Sequence, residues 1–233
     1  MNPALMIVHN GLEITQRAVE SVLRQDIGDL HLIVMDNDAP LPIREWIMNR
    51  LLPSPRYSPQ IGVTKAWNIG LEAVFEFMGC NHCLVVNNDV ELSQDFYRRL
   101  LEFRDEGVEP GLVSGISTND REAIGSQAAQ PSLHPDFSAF LIRRNLWTGL
   151  GGFDDSMVHY SSDCDLHVRA HRSGWRLMNS GLYFYHERSS TMRLADDDDQ
   201  QAIANQADKD REVFKKKWNC YPWEAAKYDD LFR

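Results

Sequence analysis

The sequence predicts an α/β fold in which a mostly parallel central sheet is flanked by helices. Short apolar runs alternate with segments whose apolar residues recur at helical spacing, so the elements follow the order strand, helix, strand. Strands joined by helices in this order form a parallel sheet with right-handed crossovers. The chain has 233 residues, 43% of them hydrophobic and 25% charged, which is the profile of one sizeable domain with a core. We therefore expect a single domain over residues 1–233.

The first two strands are expected to end side by side. Residues 4–8 form an apolar run that stops at His9, and residues 13–25 carry apolar side chains at helical spacing. Residues 30–35 form a second apolar run, which ends in Asp36. Since the carboxyl ends of neighbouring parallel strands lie at the same edge of a sheet, Asp36 is predicted to lie beside His9.

The alternation continues up to the middle of the chain. Residues 44–52 are predicted as a helix, and the proline-rich connector 53–59 leaves room for only a short strand at Arg56 and Tyr57. The elements that follow are a helix over 62–77, a strand over 83–86, a helix over 92–106 and a strand over 112–116.

The second half of the chain contains a long loop. Residues 117–135 are rich in Ser, Asn, Gln, Ala and Pro, and a loop of that length in a compact domain usually serves function or moves. An edge strand over 137–143, a helix that begins near Asp163, and two short strands over 175–178 and 182–186 are expected after it.

Polar side chains follow the 83–86 strand directly, as Asn87-Asn88-Asp89. In an open α/β sheet, ligands bind beyond the carboxyl ends of the strands. Oxygen ligands on a short turn suit Mg²⁺ or Mn²⁺ better than zinc, and such a cation would hold phosphates. The alternative is a plain polar turn after a core strand, because Asn and Asp favour turns.

Asp163 and Asp165 are a second concentration of polar chemistry, in the first turn of a predicted helix. Capping explains one of them, because acids at a helix N-terminus interact favourably with the helix dipole. His186 stands at the end of the last predicted strand, where it is either a ligand or an ordinary surface residue. The residues alone leave these alternatives open.

Composition argues against several classes of function. The net charge of −10 offers no basis for sequence-independent nucleic-acid binding, although a local basic patch stays open. Cys80 and Cys83 form a C-x-x-C pair without a matching second pair, which favours buried thiols over a zinc site. The sequence shows no basic leader, and no apolar run reaches the roughly 18 residues of a membrane span. We expect a cytoplasmic, reduced protein without a transmembrane segment.

Seven short motifs occur along the chain in a particular order. They are Val8-His9-Asn10-Gly11, Val34-Met35-Asp36-Asn37, Gly62 with Ala66-Trp67-Asn68-Ile69-Gly70, Asn87-Asn88-Asp89-Val90, Gly151-Gly152-Phe153-Asp154, Asp163-Cys164-Asp165-Leu166, and His186 with Ser189-Ser190-Thr191. Together they resemble the family 2 nucleotide-sugar glycosyltransferases of the GT-A fold, especially the rhamnosyltransferase-like branch. The resemblance implies a Rossmann-like, mixed central sheet. It also implies that residues 1 to about 116 bind the nucleotide sugar, and that residues from about 117 to 233 bind the acceptor and carry out catalysis.

The resemblance implies roles for residues that would hold the donor, a nucleotide-diphosphate sugar. Asp36 resembles the acid that contacts the base and ribose, with the backbone of His9 beneath the base. A carboxylate suits this role because it accepts hydrogen bonds from an imide N–H or a ribose hydroxyl. Asn68 is similar to an asparagine near the donor, and Lys65 is expected near the phosphates.

The resemblance also implies a divalent cation, Mn²⁺ or Mg²⁺. Asn87-Asn88-Asp89 resembles the Asp-x-Asp motif, with Asn88 near the ribose and Asp89 as the ligand of a cation that bridges the diphosphate. His186 resembles a histidine that completes the metal or phosphate site in some relatives. Asn87 stands where the motif often has its first acid, which predicts weak, diphosphate-assisted metal binding.

On the acceptor side, Asp163 resembles the catalytic base. It would take a proton from the acceptor hydroxyl while that oxygen attacks the anomeric carbon from the face opposite the diphosphate. The implied enzyme is an inverting hexosyl- or deoxyhexosyltransferase, with Gly152, Phe153 and Asp154 in its acceptor site. A serine stands before Asp163 where the family usually has a glutamate, so Asp165 stays open as an alternative base.

The nature of the acceptor is an expectation from analogy alone. A polysaccharide or glycolipid hydroxyl is the default, and protein, small-molecule and modified-nucleobase acceptors stay open. A lipid-linked acceptor would be met by peripheral contact with the bilayer, through the basic residues Arg188, Arg193, Lys209, Arg211 and the lysines of 215–217, although the acidic run 196–199 interrupts them.

A non-catalytic module of the same fold is the alternative function. Such a module would bind a sugar nucleotide or a protein partner without turnover. The missing glutamate beside Asp163 is the sequence feature that favours it.

Overall fold

Eight strands make up the central sheet of the described residues. A computed structural model of the chain describes residues 1–51, 55–129, 134–187 and 197–232. Its strands are β1 (Asn2–Val8), β2 (Leu30–Asn37), β3 (Arg56–Tyr57), β4 (His82–Asn87), β5 (Val90–Glu91), β6 (Leu112–Thr118), β7 (Ala139–Arg143) and β8 (Leu177–His186).

Helices connect these strands and follow the last of them. They are α1 (Leu12–Leu23), α2 (Leu41–Arg50), α3 (Val63–Glu72), α4 (Phe96–Glu102), α5 (Arg144–Leu150), α6 (Ser162–Arg172), α7 (Asp197–Trp218) and α8 (Ala225–Asp229). A π-helical stretch, Ala73–Phe77, continues α3, and 3-10 turns occupy Arg121–Ala123 and Asp230–Phe232. Within the described ranges, every helix is too short or too polar to cross a bilayer.

The strands lie in the order β3-β2-β1-β4-β7-β6-β8-β5. β1 runs parallel to β2 and β4, β2 to β3, and β6 to β8, whereas β7 is antiparallel to β4 and β6, and β5 to β8. The predicted α/β class, with a mixed and mostly parallel sheet flanked by helices, is confirmed. Val8 lies opposite Asp36 in the β1–β2 register, so these two strands end side by side.

The strand expected at the sheet edge over 137–143 lies in the middle of the sheet, and that expectation is wrong. β7 pairs with β4 on one side, through Ile142 and Cys83, and with β6 on the other, through Leu141 and Val113. Its first four residues are all buried. A strand that is paired on both edges and covered on both faces is apolar throughout, which distinguishes it from an alternating edge strand.

A single long strand, β8, replaces the two short strands expected over 175–178 and 182–186. The polar residues between them stay in the strand because β6 satisfies them. Asn179 Nδ2 donates to Gly115 O at 2.7 Å, and Ser180 Oγ donates to Ser114 O at 2.8 Å. The β6–β8 register shifts at this point, which is how the sheet accommodates the irregular segment.

The helix expected over 92–106 is shorter, and a strand precedes it. α4 covers Phe96–Glu102, and β5 (Val90–Glu91) comes before it because Val90 is buried in the sheet core. After α4 the chain turns through Glu106 and Gly107, both with positive φ, 50° and 81°. α4 itself ends before this turn, at Phe103, whose φ of −60° and ψ of 135° are not helical, and the apolar periodicity does not show where that occurs.

Both faces of the sheet are covered, as the alternation along β1 shows. Ala4, Met6 and Val8 belong to one buried cluster with residues of α1, α2 and α4, whereas Leu5 and Ile7 belong to a second cluster with residues of α3, α5 and α6. Successive side chains of a strand point to opposite faces, so both sets contribute to a core. Each fully buried large apolar side chain contributes about 1.5–3 kcal/mol.

A third, smaller cluster joins α6 to the end of the chain. It contains Met157, Val168, Phe214, Cys220 and Tyr228. All four cysteines are free thiols, and those of the C-x-x-C pair are buried.

Some expectations fall outside the described residues. They concern Ser189-Ser190-Thr191 of the last motif, the basic residues Arg188 and Arg193, the start of the acidic run 196–199, and residues 130–133 of the long loop.

Candidate functional site

Two neighbouring cavities lie beyond the carboxyl ends of β1 and β4 and together form one cleft. The smaller cavity, of about 230 Å³, is lined by Ile7, His9, Asn37, Gln60, Asn88, Asp89 and Ile203. The larger cavity, of about 590 Å³, is lined by residues that include Trp67, Asp136, Phe137, Ser161, Asp163 and Asn179. Val63, Asn87, His159 and Tyr160 line both cavities. A molecule that extends from one cavity to the other would therefore pass Asn87, at the end of β4.

The chain brings Asp89 and His186 together at this strand end. β4 stops at Asn87, and β5 then pairs antiparallel with β8 so that Val90 lies opposite His186. Asp89 Oδ1 lies 3.3 Å from His186 Nε2, and the two side chains are 10% and 16% exposed. A carboxylate suits Mn²⁺ or Mg²⁺, and a neutral imidazole can add a nitrogen ligand.

The chain itself supplies few ligands for such a cation. Among the described residues, no group of three or more His, Cys, Asp or Glu side chains is arranged to hold a metal ion. A cation bound at Asp89 and His186 would therefore take its remaining ligands from water or from a bound molecule such as a diphosphate.

Asn88 is held by the turn that follows β1. Its Nδ2 donates to the backbone O of Asn10 at 2.8 Å and to Thr15 Oγ1 at 2.9 Å. These bonds tie the end of β4 to the start of α1 and fix the direction of the Asp89 turn. Because the amide N–H groups of Asn88 are used inside the protein, its amide oxygen is the atom left for a ligand.

The end of β2 contributes Asn37 to the cleft, and the predicted Asp36 lies outside the cavity lining. His9 Nδ1 lies 2.9 Å from Asn37 O, and both side chains line the smaller cavity. Adjacent residues within a strand point to opposite faces, which agrees with Asn37 lying on the cleft side and Asp36 lying against Arg44 and Arg56. That alternation is the sequence signal that could have identified Asn37.

Asp36 is held by basic and backbone groups. It is 6% exposed, its Oδ1 accepts from Ala39 N at 2.7 Å, and its Oδ2 lies 3.6 Å from Arg44 Nε and 3.5 Å from Arg56 Nε. In this arrangement the carboxylate joins α2 and β3 to the end of β2. Its contact with a nucleotide stays a prediction.

Asn68 and Lys65, both on α3, have different surroundings. Asn68 Oδ1 accepts from Phe153 N and Asn68 Nδ2 donates to Phe153 O, each at 2.8 Å, so its amide pairs with the Phe153 backbone as a strand would. Lys65 is exposed and is not among the residues that line either cavity.

The Gly152-Phe153-Asp154 segment packs behind the larger cavity. Gly152 has a φ of +79°, and a Cβ there would lie 2.8 Å from Asn68 Oδ1. Phe153 is buried against Trp67, with ring centroids 5.2 Å apart. Asp154 Oδ2 accepts from Lys217 Nζ at 2.8 Å. These three residues support the site from behind and are not among its lining residues.

Asp163 lines the larger cavity from the first turn of α6. The protein packed around it raises the pKa of its carboxyl above the ordinary value, the Asp136 carboxylate adds to the rise, and the N–H of Cys164 opposes it. A raised pKa makes a carboxylate a better proton acceptor, which is the property that a general base needs.

Asp165, two residues further on, points into the protein. It is 0% exposed. Its Oδ2 accepts from Arg169 Nε at 2.7 Å, and its Oδ1 accepts from Trp218 Nε1 and from Lys217 Nζ, each at 2.8 Å. A carboxylate with both oxygens engaged by cations and an indole holds α6 to α7.

Asp210 on α7 positions the wall shared by the two cavities, and the sequence reasoning missed it. Its carboxylate accepts from the backbone N–H groups of Val158, His159 and Tyr160 at 2.8–2.9 Å. Asp210 is 0% exposed. Its place four residues before the buried Phe214, on the same face of a helix, is the signal that could have identified it as buried.

The sequence matches no protein-family model and no curated protein. Solved structures do share its fold. A mannosyltransferase from Pyrobaculum calidifontis, solved with GDP-Man and Mn²⁺, aligns with a TM-score of 0.61 at 14% identity, over 82% of this chain and 58% of that chain.

Two further glycosyltransferase structures align similarly. S. aureus TarS 1–349, in complex with UDP-GlcNAc, gives a TM-score of 0.61 at 15% identity, over 100% of this chain and 70% of that chain. GalNAc-T7, with UDP, GalNAc and Mn²⁺, gives 0.62 at 12% identity, over 80% of this chain and 43% of that chain. The chain thus spans only part of each of these proteins. Likeness at this level of identity shows the fold, and the chain has the GT-A fold of these glycosyltransferases.

Proposed function

We propose that this protein is a glycosyltransferase that moves a sugar from a nucleotide-diphosphate sugar to an acceptor hydroxyl, with inversion at the anomeric carbon. The observation that carries the proposal is the cleft: Asp89 with His186 at one end, Asp163 at the other, and Asn87 between them. The GT-A fold and the three nucleotide-bound neighbours support it by analogy.

The smaller cavity is the proposed site for the nucleotide. It lies beyond the ends of β1 and β4, the position at which open α/β sheets bind ligands. Asn37, Asn88 and His9 line it, and the amide oxygen of Asn88 would be available to a nucleotide. Asp36 and Asn68 would act here by holding β2 and the Phe153 segment in place, and Lys65 would meet the phosphates only from the surface.

Asp89 and His186 would hold a divalent cation, Mn²⁺ or Mg²⁺. When bound, the cation supplies Lewis-acid stabilisation of the negative charge that develops on the departing diphosphate. One carboxylate from the chain gives weak intrinsic affinity, so the metal and the diphosphate should bind together. The Mn²⁺ of the mannosyltransferase and GalNAc-T7 structures supports this assignment.

Asp163 is the proposed general base. Its carboxylate faces the larger cavity, where an acceptor hydroxyl would sit, and it would take the proton of that hydroxyl as the oxygen attacks the anomeric carbon. The raised pKa favours proton uptake at this position. Residues up to about 116 would then bind the donor, and those from about 117 onwards would hold the acceptor and the base.

Donor turnover and its metal dependence test the proposal. The protein is incubated with a panel of nucleotide sugars, with Mn²⁺ or with EDTA, and release of nucleotide is measured together with donor affinity by calorimetry. We expect slow hydrolysis of one donor even without an acceptor, and tighter donor binding with Mn²⁺. A non-catalytic module would bind the donor without releasing nucleotide.

The metal assignment is tested by variants of the pair. Asp89→Ala and His186→Ala should abolish or reduce the gain in donor affinity that Mn²⁺ provides. His31→Ala is the matched control. His31 also lies near an aspartate, with its Nδ1 3.5 Å from Asp29 Oδ1, but this pair is at the start of β2, whereas the cleft is at the end of that strand. Equal donor affinity with Mn²⁺ and with EDTA in the wild-type protein would remove Asp89 from this role.

A further inference from the structure

The larger cavity presents a second carboxylate besides Asp163. Asp136 lines it from the segment before β7, whereas Asp163 lines it from α6. Asp136 Oδ1 accepts from Ser138 N at 2.9 Å, and the Asp136 N–H donates to Ser114 Oγ at 2.8 Å. The first bond holds the side chain through one carboxylate oxygen, and the second holds the backbone of the same residue. Burial is the main cause that raises the pKa of Asp163, and the charge of the nearby Asp136 adds to the rise.

Aromatic and polar residues lie side by side in the lining of the same cavity. Trp67, Phe137 and Tyr160 line it together with Ser117 and Asn179. Aromatic side chains bury the C–H surface of a ligand, and a few fixed polar groups orient it. A pyranose ring has both features, because its C–H groups form an apolar surface and its hydroxyls lie around the rim. The volume of about 590 Å³ accommodates at least one such ring.

The charged groups that line the cavity determine whether a neutral, a cationic or an anionic sugar ring binds well. The described residues that line it include no lysine or arginine. The two histidines among these residues are His159, whose pKa is lowered by burial so that it charges less readily than an exposed imidazole, and His134, whose Nε2 lies 3.5 Å from Asp229 Oδ1. Two carboxylates that face a cavity with partly apolar walls attract cations and repel anions. A ring with a carboxylate or phosphate substituent would therefore bind weakly.

We propose that the larger cavity binds a neutral or amino-bearing sugar ring, and that Asp136 recognises a ring hydroxyl and excludes anionic rings. The proposal deepens the proposed function, since it rests on that function for the statement that the bound ring is the acceptor. Asp136 is then a specificity-determining residue, distinct from the residues assigned to the donor and to proton transfer.

Binding of three matched rings tests this inference without any donor. Methyl glucopyranoside, its 2-amino analogue and the methyl glucopyranosiduronate are titrated against the full chain at pH 7, and dissociation constants are measured by saturation-transfer NMR. We expect the amino ring to bind at least as well as the neutral one. The uronate should bind about tenfold more weakly, which corresponds to about 1.4 kcal/mol.

Asp120→Asn provides a matched control for Asp136→Asn. Asp120 Oδ1 also accepts from the backbone N–H two residues on, Glu122 N at 2.9 Å, and it lies outside the cavity lining. Both substitutions change the net charge equally and keep a hydrogen-bond acceptor. In the wild type, the dissociation constant of the uronate should exceed that of the neutral ring about tenfold. Asp136→Asn should reduce this ratio to about threefold, whereas Asp120→Asn should leave it unchanged.

Three outcomes would overturn the inference: the uronate binding as tightly as the neutral ring, the two variants changing the ratio equally, or no saturable binding of any ring. The failure of the proposed function would look different. If the rings bind in the expected order and no nucleotide sugar is turned over, the cavity is a sugar site and the transferase assignment is wrong.

Discussion

The cleft face and the buried face of α6 each carry an aspartate, and the two aspartates have different surroundings. Asp163 and Asp165 lie two residues apart, and side chains at that spacing point about 200° apart around a helix. On the cleft face, Asp163 lies near another carboxylate, Asp136, and its pKa is raised. On the buried face, Asp165 meets Arg169 and Lys217, and both of its oxygens are engaged.

The difference shows how pairing separates a structural acid from one available for chemistry. Both oxygens of the Asp165 carboxylate are occupied by donors from the protein itself, so neither is left to accept a proton from a bound hydroxyl. A carboxylate surrounded by protein and by another acid is destabilised when charged, so it takes up a proton more readily. Asp36, with Arg44 and Arg56, resembles Asp165 in this respect. Substitutions on the two faces of α6 test this contrast.

Asp163→Asn should reduce sugar transfer by roughly 10²–10⁴-fold, the usual contribution of a positioned general base. The substitution keeps the shape of the side chain and removes the proton acceptor, so the dissociation constant of the donor should stay close to that of the wild type. Product formation and donor titration in one preparation measure the two quantities.

Asp165→Asn is the control on the opposite face. Per folded molecule it should retain most of the transfer activity, because its side chain does not reach the cavity. A larger loss of activity in Asp165→Asn would move the base to that residue, and small, equal losses in both variants would favour a non-catalytic protein.

Asp165→Asn should instead lower the free energy of unfolding by about 3 kcal/mol, because removing one charge of a buried pair leaves its partner uncompensated. Arg169 and Lys217 would lose their buried partner, although each stays partly exposed. Urea denaturation followed by circular dichroism measures the change. If Asp163→Asn destabilises the protein as much as Asp165→Asn does, the two faces do not differ as described.

Gly152→Ala tests the loop between α5 and α6, which Arg169 on α6 holds in place. Arg169 Nη2 donates to Gly152 O at 2.8 Å, and an alanine Cβ would meet Asn68 Oδ1 at 2.8 Å. We expect the free energy of unfolding to fall by about 2–3 kcal/mol, from the strained φ and the crowding together.

Gly151→Ala separates those two contributions. Gly151 also has a positive φ, +72°, but a Cβ there would have no neighbour within 4 Å. The cost should be only about 1 kcal/mol, that of the left-handed backbone. Thermal unfolding of the two variants in parallel measures the difference, and equal losses would contradict a role for the Asn68 contact.

The smallest expected effect concerns the pH dependence of stability. Because the folded protein raises the pKa of Asp163, this group favours folding when it is protonated, below its unfolded pKa, and that contribution is lost as the pH rises through the folded pKa. At pH 7, well above its unfolded pKa, Asp163 therefore opposes folding relative to a neutral side chain of the same shape.

Asp163→Asn should consequently raise the melting temperature at pH 7 by about 2 °C. The difference between variant and wild type should vanish near pH 3, where the wild-type carboxyl is neutral. Calorimetric scans over this pH range follow the change. A variant less stable than the wild type at pH 7 would show that the Asp163 carboxylate stabilises the fold.

The order of the elements and the chemistry at the strand ends could be predicted from the sequence. Apolar periodicity is a local property, so the parallel strands and most helices could be located from it, as could the polar turn at Asn87-Asn88-Asp89. Apolar periodicity did not predict features of the sheet that depend on strand pairing between distant residues. The central position of β7 and the continuity of β8 follow from contacts with β4 and β6, which local periodicity does not encode.

Which polar residues face the cleft depends on the packing of segments that are distant in the chain. Helical geometry predicts that the side chains of Asp163 and Asp165 point in different directions. It does not predict the partners of Asp165, because Lys217 and Trp218 belong to α7, more than fifty residues later in the chain. Asp210 reaches the loop before α6 across a similar separation. Whether an acid is free for chemistry depends on the charges that packing brings to it, and packing between distant segments is not written in the spacing of residues along one helix or strand.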